Sequence, residues 1–147
     1  MTTHVHPDES IGFALKRLQQ ILRTRMDAAL ATYALTTPQY AVLALLADDP
    51  GMSNAELARR SFVAAPTMLR ILDGLTDAGL ITRADPTPEH RVRGTALTNL
   101  GRTRLAQATP HVRNFENLLV ANAQPEHVEV ITNWLRTCAR QLGEQPS

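Results

Sequence analysis

The chain has 147 residues, 44% hydrophobic and 20% charged, a composition that can form a packed core and lacks the signature of disorder. Its net charge of +1 excludes a protein that is basic all over, so an anionic partner must meet a local patch. There is no apolar run of roughly 20 residues, as a membrane span needs, and no apolar signal-peptide core at the start. A single cysteine, Cys138, excludes an intramolecular disulfide. We therefore expect one cytoplasmic domain over residues 1–147.

The first half of the chain predicts two helices. Apolar residues recur every three or four positions from Ser10 to about Tyr33, which indicates a long amphipathic helix with Ser10 near its start. Thr36 and Gln39 have the spacing of a capping box. The nearly continuous apolar run that follows, to Ala47, predicts a helix buried on most sides.

Two shorter helices follow, joined by the three residues 61–63. Ser53 and Glu56 predict a capping box for the first, which should end near Arg60. The second should run from Ala64 to Ala78, and Gly79 should stop it. Its inward positions are Met68, Ile71, Leu72 and Leu75.

The second half of the chain predicts a hairpin and two more helices. Strand-like segments at 80–83 and 92–97 flank a proline-rich tip. Thr98 should cap a helix over 99–122 that bends at Pro110, and a last helix should span 125–142.

Two short helices joined by a three-residue turn and followed by a hairpin have the order of a winged helix-turn-helix. We therefore predict a mainly α fold with a small β-hairpin wing. The winged helix-turn-helix lobe covers 36–98, between helical segments at 10–34 and 99–142. The segment from Ser53 to Arg104 has eight arginines against five acidic residues, a local charge of +3 in a chain of net +1.

The sequence resembles the multiple antibiotic resistance regulator (MarR) family over about residues 10–142. The resemblance rests on an ordered series of short motifs. They are Leu35-Thr36, Gln39-Tyr40, the stretch from Pro50 to Ala58, Thr67, Arg70, Asp73, Leu75, Gly79-Leu80-Ile81, the stretch from Arg91 to Thr98, and Gly101-Arg102.

This resemblance implies a homodimer that binds a pseudo-palindromic operator in double-stranded DNA. The helices at 10–34 and 99–142 would serve dimerisation. It also implies repression that is relieved by a small, often aromatic and acidic effector. A winged-helix module that binds a ligand or a protein, without DNA, remains the alternative.

The resemblance also implies which residues meet DNA. Thr67 and Arg70 should contact bases or phosphates, since arginine can bond both guanine acceptors and threonine can touch a thymine methyl. The alternative for Arg70 is a surface pair with Asp73 or Glu56. At the wing tip Arg91 should enter the minor groove, although Glu89 stands where the family often has aspartate. The predicted DNA-binding residues are Ser53, Ala64, Ala65, Pro66, Thr67, Leu69, Arg70, Arg83, Arg91 and Arg93.

An effector pocket is implied between the dimerisation helices and the DNA-binding lobe. An anionic aromatic compound needs apolar area and one or two cationic or donor groups. The candidate wall residues are Phe13, Arg17, Tyr33, Tyr40 and His111, and the alternative is that the three aromatic side chains among them are ordinary core.

Other chemistry is not indicated. The five histidines have no metal-site spacing, and no phosphate-binding glycine loop, nucleophile elbow or paired carboxylates occur, so we expect no metal, no cofactor and no enzyme. Cys138 lies on an apolar helix stripe, which favours an inert thiol over a redox sensor.

Overall fold

The computed structural model describes residues 3–83 and 94–143. The chain divides into two compact units, Met1–Val112 and Arg113–Ser147, and their boundary falls within one continuous helix. The elements confirm the predicted order. They are a short 3-10 helix at Pro7–Glu9, α1 at Ile11–Ala31, α2 at Thr37–Asp48, α3 at Asn54–Arg60, α4 at Ala65–Asp77, β1 at Ile81–Thr82, β2 at Ala96–Leu97, α5 at Asn99–Val120 and α6 at Pro125–Gly143.

Helix α1 begins as predicted and ends two residues early. The Ser10 hydroxyl accepts a hydrogen bond from the Phe13 amide at 3.4 Å, which caps the helix start. At the other end Ala34 adopts a left-handed conformation with φ of 53°. The Leu35 amide then bonds the Leu30 carbonyl at 3.1 Å, which closes the helix and buries Leu35.

Helix α2 lies in the core of the first unit, as its apolar run predicts. Its capping box is confirmed, because the Gln39 amide donates to the Thr36 hydroxyl while the Gln39 side chain accepts from the Thr36 amide. The helix contacts α1, α4 and β2. Side chains that are almost completely buried around it are Leu30, Val42, Leu43, Leu46, Leu57, Met68, Leu72, Leu75, Leu80 and Ile81.

Within the described residues the wing strands are shorter than predicted, and the predicted tip and the start of the second strand at 92–93 lie outside them. Ile81 pairs with Leu97 and Thr82 with Ala96 in an antiparallel ladder of two residues on each side. The prediction of a strand over the whole of 92–97 is wrong at Thr95. That residue is buried, and its carbonyl accepts from the Gly51 amide at 2.9 Å, so the loop after α2 takes the bond that a ladder would use.

The base of the wing is fixed by a junction between the end of α4 and the start of α5. Gly79, with φ of 72°, ends α4 as predicted. The Thr98 hydroxyl donates to the Gly79 carbonyl at 2.6 Å and accepts from the Gly101 amide at 3.0 Å, which confirms Thr98 as the cap of α5. The Thr98 amide also donates to the Leu80 carbonyl at 3.1 Å. These bonds hold both strands where they leave the helices.

Helix α5 runs through Pro110 without interruption, and the predicted bend there stays a prediction. In the second unit α6 spans Pro125–Gly143, and Cys138 is half-buried. No helix within residues 3–83 and 94–143 is long and apolar enough to cross a membrane.

Two helices present apolar stripes that their own chain leaves exposed. On α1 the exposed side chains are Ile11, Phe13, Leu15, Leu18 and Ile21. On α6 they are Val130, Ile131, Trp134, Leu135 and Leu142. Apolar stripes of this extent are typical of surfaces that pack against another chain.

Candidate nucleic-acid interface

Helix α3 is held in place by its cap and by two buried side chains. The Ser53 hydroxyl accepts from the Glu56 amide at 3.1 Å, and Leu57 and Ala58 are buried. The predicted capping box is only half formed. The Glu56 carboxylate pairs with the Arg59 guanidinium at 2.5 and 3.0 Å instead of returning to the helix start.

This pair shifts the pKa values of both side chains. The Arg59 guanidinium, by its hydrogen bond to the carboxylate, lowers the pKa of Glu56 from its ordinary value of 4.5. The same bond raises the pKa of Arg59. Both groups lie at the surface, so their effect on stability is small.

The turn between α3 and α4 contains a residue that the sequence reasoning missed. Phe62 adopts a left-handed conformation with φ of 56°, and 94% of its surface is exposed. Bulky side chains rarely take this conformation, and turns in helix-turn-helix units often use glycine. The sequence did contain a sign of this feature, because a phenylalanine stands in the middle of the three-residue turn.

Helix α4 starts with small residues, which leave the backbone of its first turn accessible. Ala64 is the N-cap and provides no side-chain bond, and Pro66 stands in the first turn. Ala64, Ala65 and Pro66 are exposed, whereas Thr67 is half-buried. A partner can therefore approach the backbone of this helix end closely.

The outer face of α4 presents Leu69 and Arg70, both exposed as predicted. Neither of the alternative partners pairs with Arg70. Glu56 pairs with Arg59, and Asp73 lies 3.2 Å from the guanidinium of Arg83. In the part of the chain that the structure describes, Arg70 makes no ion pair or hydrogen bond, so its five donors face solvent.

Arg83 differs from Arg70 in its surroundings. Its side chain is only 19% exposed and its guanidinium pairs with Asp73. A phosphate contact by Arg83 would have to compete with this pair. Arg91 and Arg93, together with Glu89, lie outside the described residues, and their roles stay predictions.

The predicted effector residues fall into two groups. The Tyr33 hydroxyl lies 2.7 Å from Nε2 of His111, and the two rings are tilted by 48° with centroids 5.3 Å apart. Tyr40 bonds the hydroxyl of Thr109 at 3.2 Å. These bonds tie the turn after α1, and α2, to α5. By contrast, Phe13 and Arg17 are exposed on α1.

A cleft of about 310 Å³ lies elsewhere in the first unit. It is bounded by α1, the start of α2 and the turn after α3, and it includes none of the five predicted effector residues. Its lining residues are Gln19, Leu22, Arg23, Met26, Thr37, Pro38, Ser61, Phe62 and Val63. Residues 3–83 and 94–143 contain no group of three or more side chains suited to hold a metal ion.

Comparisons with known proteins agree with this geometry. The family model described as MarR family matches residues 35–92. The HTH-type transcriptional repressor Rv2887 of Mycobacterium tuberculosis is 36% identical over 106 residues, which are 72% of this chain and 76% of the repressor.

Two solved structures are similar over nearly the whole chain. One is the M. tuberculosis MarR family protein Rv2887 in complex with salicylic acid, with a TM-score of 0.68, 30% identity and coverage of 88% of this chain and 96% of the other. The second is the transcriptional repressor CouR bound to a 23-mer DNA duplex, with a TM-score of 0.78, 29% identity and coverage of 93% and 99%. Sequence and fold together show that this chain belongs to the MarR family.

Proposed function

We propose that this protein is a sequence-specific DNA-binding transcription repressor that acts as a homodimer and is released by a small organic acid. The observation that carries the proposal is the state of Arg70. It stands on the exposed face of α4 while Glu56 and Asp73, the acidic groups suggested as its partners, are engaged by other arginines. An exposed guanidinium near the start of a helix that follows a short turn is suited to guanine bases in the major groove.

The surroundings of Arg70 support a fit to DNA. Leu69 offers an apolar contact to a thymine methyl, and the small side chains Ala64 and Ala65 let the backbone approach. Helix starts also favour phosphate groups. The relatives support the same role, since CouR is described as a repressor bound to a DNA duplex.

The dimer is supported by the exposed stripes on α1 and α6. Side chains such as Leu18 and Trp134 are 47% and 44% exposed in the single chain. A second copy could cover these stripes, and the homodimer would then contain two α4 helices for one DNA duplex. Such an arrangement binds half-sites about one helical turn apart, so the operator should be a near-palindrome.

The effector proposal rests on Tyr33 and His111, joined at 2.7 Å, with Phe13, Arg17 and Tyr40 as further candidates. The relative Rv2887 is described in complex with salicylic acid. A compound of that class would use apolar area and a donor or cation. We propose a role in binding only, without enzymatic activity, and a cytoplasmic location, as for bacterial repressors.

Fluorescence anisotropy with the DNA upstream of the protein's own gene, measured over a salt series, tests DNA binding. Arg70→Ala should reduce the preference for operator over random DNA by about tenfold or more, since a bidentate base contact contributes about 1–3 kcal/mol. Arg91→Ala should weaken binding with a smaller loss of discrimination. Arg140→Ala, which removes the same charge from α6, is the matched control.

Affinity should fall as salt rises, because each neutralised phosphate releases counterions. Wild-type affinity and selectivity in both the Arg70 and the Arg91 variants would refute the assignment of this surface. Failure of the wild-type protein to prefer its upstream DNA would refute the proposed function itself.

A further inference from the structure

Helix α1 has two halves with different surroundings. From Ile11 to Ile21 its large apolar side chains are exposed, whereas Met26 and Leu30 in the second half are buried in the core of the chain. In the proposed homodimer the first half contacts the partner. The hydrogen bonds along a helix hold its turns together, so α1 connects the partner to the lobe that contains α4.

The second half of α1 is joined to α2 by a carboxylate. Oδ1 of Asp27 accepts hydrogen bonds from the Thr37 amide at 3.1 Å and from the Thr37 hydroxyl. Thr37 is the first residue of α2, where the helix dipole favours a negative charge. The apolar contacts of Met26 and Leu30 have no preferred direction, whereas hydrogen bonds do. Asp27 therefore fixes the rotation of α2 against α1 as well as the distance between the two helices.

The amides at the start of α2 show that this bond is additional to the helix's own cap. The side chains of Thr36 and Gln39 satisfy each other's amides, at 3.3 and 3.0 Å. Pro38 has no amide hydrogen. The Thr37 amide is the donor that the capping box leaves, and it bonds Asp27. Since water can satisfy a free amide at a helix end, the main effect of this bond is to join the two helices.

The second oxygen of the carboxylate is also held. Oδ2 of Asp27 lies 3.8 Å from Nε of Arg23, one helical turn earlier on α1. This distance is that of an ion pair and is too long for a hydrogen bond. The two side chains are 66% and 41% exposed for Arg23 and Asp27, so the pair contributes little to stability. It does favour the orientation of the carboxylate in which Oδ1 faces Thr37.

We propose that Asp27 is a positioning residue. By fixing α2 against α1, it sets the separation of the two α4 helices in the homodimer, and hence the spacing of half-sites that the operator must have. Helix α2 contacts α4, so a rotation of α2 on α1 displaces α4. Neighbouring bases of a DNA strand are about 3.4 Å apart, and a displacement of that size matches a change of one base pair. This inference rests on the proposed function.

Pulsed electron double resonance between spin labels in the two protomers measures the separation of the α4 helices without DNA. The labels are attached through Asp77→Cys, at the exposed end of α4, in a Cys138→Ala background. In Asp27→Ala the distance distribution should shift or broaden by about 1–2 Å, the size of helix shifts at interfaces. Asp48→Ala, which removes an exposed carboxylate from the other end of α2, is the matched control and should leave the distribution unchanged.

Milder substitutions separate positioning from folding. Thr37→Ser keeps both donors and should behave like the parent protein. Thr37→Val removes only the hydroxyl and should give a smaller change than Asp27→Ala, and it decides the question if Asp27→Ala does not fold. A role in stability alone would lower the melting temperature and leave the distances in the folded protein unchanged. Unchanged distances in the Asp27 and Thr37→Val variants would overturn the proposal.

The operator provides the second readout. Duplexes derived from the bound upstream DNA, with one base pair inserted or removed at the centre between the half-sites, are compared by anisotropy at constant salt. The wild type should lose about tenfold in affinity for each change, as for a lost base contact, and Asp27→Ala should lose about threefold or less. An equal loss in both proteins would overturn the link to spacing.

The two readouts distinguish failure of this inference from failure of the proposed function. If the wild type does not prefer its upstream DNA, the proposed function fails, and the label distances still decide whether Asp27 fixes α2 against α1. If the wild type binds this DNA but the distances and the spacing penalties are the same in Asp27→Ala, the proposed function stands and the role of Asp27 is refuted.

Discussion

Replacement of Gly101 by alanine should destabilise the base of the wing. A Cβ atom at this position would lie 2.0 Å from the carbonyl oxygen of Leu80 and 3.0 Å from its carbonyl carbon. Both are backbone atoms, so no side-chain rotation relieves the clash. The start of α5 must move away from Leu80 by about 1 Å or more to restore ordinary contact distances.

The cost follows from the bonds in this junction. Overpacking costs about 1–3 kcal/mol, and the shift also stretches the Thr98 bonds to Gly79 and Leu80, each worth about 0.5–1.5 kcal/mol. The higher helix propensity of alanine offsets up to about 1 kcal/mol of this cost. We therefore expect a net loss of about 2–4 kcal/mol, which lowers the melting temperature by about 5–10 °C.

Differential scanning calorimetry measures this loss, and Gly12→Ala is the matched control. Gly12 also lies in the first turn of a helix, but its Cβ would meet the Ser10 hydroxyl oxygen at an ordinary 3.7 Å. This variant should be as stable as wild type or slightly more stable. A melting temperature of Gly101→Ala equal to that of Gly12→Ala would show that the close approach to Leu80 does not constrain the fold.

Three further experiments test local features of the structure. Ala34→Gly should raise stability by about 0.5–1 kcal/mol, because Ala34 has φ of 53°, and an unchanged or lower denaturation midpoint would contradict this. A double-mutant cycle of Tyr33→Phe and His111→Gln in urea unfolding should give a coupling of about 0.5–1 kcal/mol, and additive effects would show that the 2.7 Å bond contributes nothing. The Glu56 carboxyl should titrate below 4.5 by NMR and return towards that value in Arg59→Gln. Since the folded pKa of Glu56 is lowered, its contribution to stability is present above pH 4.5 and is lost as the pH falls through the folded pKa. A titration midpoint of Glu56 at or above 4.5 would refute the pairing.

Local signals in the sequence were sufficient to predict the order of the elements. The Thr36 capping box, the cap at Thr98 and the stop at Gly79 depend on residues close in the chain, and all three form as predicted. The apolar run of α2 likewise identified the core helix, because a helix without a polar face can only be stable when it is buried.

The sequence alone did not show which arginine pairs with which acidic side chain. The spacing of Ser53 and Glu56 fits a capping box, but Arg59 lies one helical turn away and takes the carboxylate. Arg83, ten residues after Asp73, takes the other acidic group suggested for Arg70. Which cation binds which anion depends on distances between elements, and these distances do not exist before the chain folds.

The sequence by itself determined the family resemblance, the winged helix-turn-helix order and the position of Arg70 on α4, because these follow from helical periodicity and nearby caps. Only the tertiary structure decided that Thr95 bonds the loop after α2 and that Arg70 is left without an acidic partner among the described residues. It also decided that Phe62 stands exposed beside a cleft. Each of these depends on segments distant in sequence that the core brings together, and local periodicity contains no information about such approaches.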